Sequence, residues 1–130
     1  MSVLVDTSVW IDFFHGTQTA KVALLESLIT RREDICCCGF VLTEVLQGIR
    51  NNREYLATKQ ILDGLIYLDC GRSTFELSAT IYRELRKNGA TIRNSVDCLI
   101  AATVIQHGVH LLEKDRDFEH IDLYYPLNRI

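Results

Sequence analysis

Proline, methionine and tryptophan each occur once in these 130 residues, and there are only seven glycines. Scarcity of proline and glycine excludes a collagen-like or low-complexity chain. Positive charge is not in excess either: 14 Lys and Arg against 17 Asp and Glu leave a net charge of −3. Attraction of the whole molecule to nucleic acid or an anionic membrane is thereby excluded, so a polyanion would need a local basic patch or a metal ion. No apolar run approaches the roughly 20 residues of a membrane span; the longest covers residues 98–105. The first residues lack a basic region, and Asp6 interrupts them before a secretory core can form, which makes the cytoplasm the expected location.

What is present describes an ordinary globular domain. Hydrophobic residues make up 48% and charged residues 24%, enough for a core that buries roughly two-thirds of the unfolded surface. We read residues 1–130 as a single domain. The five cysteines are an odd number, and free thiols fit a reducing compartment. Cys36, Cys37 and Cys38 are consecutive, and neighbouring strand residues point to opposite faces, so they read as small core residues rather than ligands of one ion.

Short apolar runs alternate with helical stretches. Strands are expected at residues 3–5, 35–38, 65–70, 110–112 and 123–125, the last ended by Pro126. Helices are expected from a Ser8 cap to residue 14, and over residues 21–32, 40–49, 54–62, 73–87 and 96–106. Such alternation implies a mostly parallel sheet covered on both faces, an α/β three-layer sandwich (α/β/α), whose chemistry gathers at the carboxyl ends of the strands.

Acids fall where that edge should be. Asp6 directly follows the first strand, and Glu44 lies near the start of the helix after the second. Asp97 shares an i, i+3, i+4, i+7 face with Ile100, Ala101 and Val104 on a helix that is apolar almost all round. Asp115 and Asp117 follow the fourth strand. A carboxylate on an apolar face must be neutralised or bound to a cation, and several acids in one pocket repel one another unless a cation is present. Oxygen ligands without nearby histidine or thiolate favour Mg²⁺ or Mn²⁺. Such ions suit phosphodiester hydrolysis, with Lys114, Arg116, Arg93, Arg50 and Arg53 as candidates to meet phosphates. Taken singly, each acid also has an ordinary reading as a cap, a first-turn residue or a solvated turn, but the four segments converge.

The segments 5–11, 42–48, 96–102 and 115–118, read in order, resemble the PIN-domain nucleases, and especially the VapC-type toxins of toxin–antitoxin pairs. The resemblance implies a Mg²⁺-dependent (or Mn²⁺-dependent) endoribonuclease, an RNA substrate, a small antitoxin protein as partner and a homodimer. It implies Asp6 and Asp97 as metal ligands and Glu44 as a ligand or the residue orienting the attacking water. Asp115 and Asp117 each match one form of the fourth-acid pattern, and Asp117 is carried over as a ligand. Glu113 departs from the Thr or Ser common in the family. Thr7, Ser8 and Thr43 are candidates to hydrogen-bond the acids. An aspartate-nucleophile phosphatase needs a second acid two residues after the first, where Ser8 stands. The alternative from another class is a catalytically silent module of the same fold that holds RNA or protein.

Overall fold

The computed structural model describes residues 1–130. In chain order the elements are β1 (Ser2–Val5), α1 (Thr7–His15), α2 (Ala20–Thr30), β2 (Asp34–Cys38), α3 (Gly39–Gln47), α4 (Asn52–Asp63), β3 (Ile66–Leu68), α5 (Arg72–Lys87), α6 (Ser95–His107), β4 (His110–Leu112) and α7 (Asp117–Tyr124). The four strands form one parallel sheet in the order β3-β2-β1-β4. Val3, Leu4 and Val5 are wholly buried, as a strand covered on both faces requires.

The connections explain the layers. From β1 the chain steps outward through β2 to β3, then returns past β1 to form β4 on its other side. Parallel crossovers are right-handed, so reversing direction transfers the helices to the opposite face. Accordingly α1 packs against α2 and α3, while α5 packs against α6 and α7. The reversal leaves a switch point between β1 and β4, the place where an open α/β sheet has a crevice beyond its strand ends. The α/β three-layer arrangement expected from the alternation is the observed one.

Local chemistry sets the boundaries. Helix α1 begins two residues earlier than the Ser8 cap would give, because Asp6 is the N-cap and its carboxylate accepts from the Ser8 amide. Gly16 and Gly108 close α1 and α6 at φ of 73° and 64°, backbone angles that side chains disfavour. Strand β3 is shorter than expected, since Gly71 caps α5 and the chain has left the sheet by Asp69.

One expected strand is absent. Residues 123–125 do not pair with the sheet; Leu123 and Tyr124 end helix α7, and Leu123 is 77% exposed. Phe118 and Ile121, three residues apart and wholly buried, dock this segment as a helix, which overrides the strand preference of Leu-Tyr-Tyr. The fifth position of the sheet is taken by the segment after Pro126. The Leu111 amide donates to the Asn128 carbonyl at 2.9 Å, the Ile130 amide to the Leu111 carbonyl at 3.0 Å, and Arg129 forms a parallel bridge to Leu111.

The cysteine run lies inside β2, buried and unbridged. Burial pushes the Cys37 thiol up to about 12, so it behaves as a small apolar core group. Trp10 is also interior, with its ring stacked on Phe14 at 5.6 Å between centroids. No helix is long and apolar enough to cross a membrane.

These positions make opposite demands on mutation. Leu4→Ala, in the centre of the sheet, should lower unfolding free energy by about 2–5 kcal/mol in urea titration. Leu123→Ala should change it by less than about 0.5 kcal/mol, whereas a buried strand at residues 123–125 would make the second value comparable to the first.

Candidate active site

Strand β1 delivers Asp6 to the switch point in a fixed register. Val5 pairs with Leu112, and the Asp6 amide then donates to the Leu112 carbonyl at 2.9 Å, so both strands run together up to the residue bearing the carboxylate. Asp6 Oδ2 accepts from Ser8 Oγ at 2.6 Å. The next residue holds a second acid: Thr7 Oγ1 donates to Glu44 Oε1 at 2.9 Å, tying the second turn of α3 to the start of α1. Both hydroxyl residues beside Asp6 therefore orient acids.

Asp97 comes from the first turn of α6, whose N-cap Asn94 accepts from the Val96 amide at 3.0 Å. The packing of Ile100, Ala101 and Val104 against the core carries Asp97 inside, where it is 5% exposed. Asp117 opens α7 and is equally buried, and its amide donates to Asp115 Oδ1 at 2.9 Å. Oxygens of Asp97, Asp115 and Asp117 all lie within 4.8 Å of one another. Both candidates for the fourth acid thus stand at the site. Asp6 and Glu44 lie outside this tight group, although the charge of Asp6 still acts on Asp97.

The electrostatics follow from burial. Desolvation, then the charges of Asp115, Asp6 and Asp117, push the Asp97 carboxyl up to about 8. Asp6 is also raised, chiefly by burial and opposed by its Ser8 hydrogen bonds. Asp97 Oδ2 is buried with no hydrogen-bond partner, a costly state for a carboxylate. The donor set around it is all oxygen, with no imidazole or thiolate in the group. An interior aspartate with an unsatisfied oxygen, standing beside two more carboxylates, fits a hard divalent cation, and Asp97, Asp115 and Asp117, with Asp6 beside them, are the residues able to hold one.

Basic residues border the acids. The Arg93 backbone amide donates to Asp117 Oδ2 at 3.1 Å, while its guanidinium reaches Asp115 Oδ1 at 3.4 Å and Asp117 Oδ1 at 3.7 Å. Glu113 is buried and paired with Arg129 Nη1 at 3.2 Å. Burial raises the Glu113 carboxyl, and Arg129 and Lys21 oppose that rise. Arg129 also binds Asp122 at 3.1 Å, so the last residues strap the extra acid to α7. Sequence reading overlooked Arg129: 16 residues separate it from Glu113, and only the pairing of residues 128–130 with β4 brings them together. Lys114 pairs with Asp12 on α1. Beside Glu44 a cleft of about 380 Å³ opens between α1, α3 and α4, lined by Phe14, Ile49, Arg50 and Asn51 among others.

Residues 3–123, which carry the strand-end carboxylate, the buried helix acid and the acidic helix start, match the PIN domain family profile. The chain belongs to the PIN-domain family. This PIN domain is 33% identical over 121 residues to a protein named ribonuclease VapC11 from Mycobacterium tuberculosis, covering 92% of the chain and 90% of that relative. Among solved structures, VapBC2 of Rickettsia felis bound to a promoter DNA fragment superposes with a TM-score of 0.79 at 21% identity, covering 100% of this chain and 98% of that one. A toxin–antitoxin complex from Klebsiella pneumoniae gives 0.74 at 17% identity, covering 98% and 95%. At such identities the structural likeness concerns the PIN fold.

The raised Asp97 carboxyl links stability to pH. Between the ordinary carboxyl value of 3.8 and about 8, the folded PIN domain keeps a proton that the unfolded chain has released, so stability must fall as pH rises through that window. Melting temperatures of metal-free protein in EDTA should therefore decline from pH 4 to pH 8. Asp97→Asn should flatten that decline; an unchanged slope in the variant would place the linked proton elsewhere.

Proposed function

We propose that this chain is a divalent-metal-dependent endoribonuclease and the toxin of a toxin–antitoxin pair. The observation that carries this reading is the unpartnered Asp97 oxygen in a group of three aspartates, two of them buried, at the sheet's switch point. Such a group is poor as a binding surface for RNA, because carboxylates repel phosphates, but it suits a cation that RNA phosphates then share. The name of the VapC11 relative supports RNA as the substrate, and the toxin–antitoxin neighbours support a small antitoxin protein as partner. A homodimer is the assembly we propose, and five free thiols suit the reducing cytoplasm.

In this reading Asp6, Asp97 and Asp117 are metal ligands, Asp115 completes the cluster, and the ion is Mg²⁺ or Mn²⁺. When bound, such an ion polarises a phosphoryl oxygen and acidifies water near it. The protein's own groups set the geometry. Ser8 holds Asp6 Oδ2, and the Asp115 carboxylate is fixed by the Asp117 amide. Thr7 occupies Glu44 Oε1, which leaves Oε2 to accept a proton from the attacking water and orient it. Glu113 takes no part, since Arg129 neutralises it.

Hydrolysis of single-stranded and structured RNA by purified, partner-free protein tests this directly. Cleavage is expected with Mg²⁺ or Mn²⁺ and not with EDTA. Replacing a residue that merely orients a metal ligand typically costs roughly 10–100-fold, so Asp97→Asn and Asp6→Asn should each lose about a hundredfold or more in kcat. Protein that binds the ion but leaves varied RNA intact would support the silent-module alternative.

A further inference from the structure

We infer that Arg93 exchanges partners as the site fills: its guanidinium neutralises Asp115 and Asp117 when no cation is held, and turns to an RNA phosphate when one is. This inference rests on the nuclease reading above and assigns a residue to substrate capture at that same site.

The two halves of Arg93 are held differently. Its backbone amide donates to Asp117 Oδ2 at 3.1 Å, which anchors the loop between α5 and α6 to the start of α7. The side chain is 72% exposed and reaches the carboxylates only at 3.4 and 3.7 Å. Exposed ion pairs of this kind are weak and screened by salt. A divalent cation held by the same carboxylates would carry twice the charge and displace the guanidinium. The anchored backbone then leaves the freed side chain at the rim of the site, within one side chain's length of the acids. With a cation held by these carboxylates, an exposed arginine beside them would meet what the scissile strand presents there, a phosphate with oxygens matched to its fork.

The other basic neighbours are committed elsewhere. Arg129 is engaged by two carboxylates, Glu113 and Asp122, and Lys114 by Asp12. Among the cations in ionic contact with the site, Arg93 is the one whose partners are the carboxylates that a metal would take.

Two readouts on Arg93→Gln test the exchange, with Arg93→Lys as the conservative variant. By calorimetry with Mn²⁺ alone, Arg93→Gln should bind the ion more tightly by roughly two- to fivefold, the strength typical of an exposed pair removed from competition. With a single-stranded RNA oligonucleotide, Arg93→Gln should raise KM with kcat little changed. Its dependence of log(kcat/KM) on log[salt] should be shallower by about 0.7, the loss of one phosphate contact. Arg93→Lys should keep most of the salt dependence while binding RNA less tightly. Mn²⁺ affinity that is unchanged or weaker in Arg93→Gln, or an unchanged salt slope, overturns the exchange and leaves the nuclease reading intact. Wild-type protein that binds no Mn²⁺ overturns both.

Discussion

The apolar core of this protein forces acidic side chains together at the switch point of its sheet. Asp97, Asp115 and Asp117 bring oxygens within 4.8 Å of one another, and Asp6 stands close enough to act on Asp97. Nothing intrinsic to the carboxylates favours that grouping. It is imposed by three separate segments, each held by packing contacts that have no concern with charge. Strand β1 is interior on both faces, α6 packs its apolar face inward, and Phe118 and Ile121 anchor α7. The core supplies the stability against which the electrostatic strain is held, in keeping with a site whose local preferences conflict with the surrounding fold.

The strain is relieved in three ways around the site. Protons are one, as the raised Asp97 carboxyl shows. Fixed hydrogen-bond donors are another: Ser8 on Asp6, Thr7 on Glu44 and the Asp117 amide on Asp115. Arginines are the third, Arg93 at the rim and Arg129 over the buried Glu113. Neither the fixed donors nor the arginines reach Asp97 Oδ2, which has no hydrogen-bond partner. An interior aspartate with an unsatisfied oxygen is what the proposed cation would relieve.

Much of this was legible in the chain because it is local. An acid immediately after an apolar strand, and another on the apolar face of a helix, violate patterns with periods of two and 3.6 residues; Asp6 and Asp97 were visible for that reason. The alternation of strand and helix gave the parallel sheet and hence the edge where these acids meet. Information carried by tertiary contacts was not visible. Residues 123–125 have strand-like composition but belong to a helix, because docking of Phe118 and Ile121 decides the matter. The Ser8 cap was misplaced by two residues, since Asp6 serves the helix as well as the site. Arg129 reaches Glu113 only through the strand-like pairing of the last residues with β4. The convergence of both Asp115 and Asp117 likewise depends on how α7 turns away from the sheet.

The chain's membership in the PIN-domain family and the cost of grouping carboxylates at the switch point support the proposed chemistry from independent directions. The role proposed for these acids is to hold a divalent cation. Anomalous diffraction from crystals soaked in Mn²⁺ addresses it most directly. A peak bounded by the carboxylates of Asp97 and Asp117, next to Asp6, is the predicted result. Density only at surface acids, with the Asp97 oxygens still unligated at saturating Mn²⁺, would contradict it.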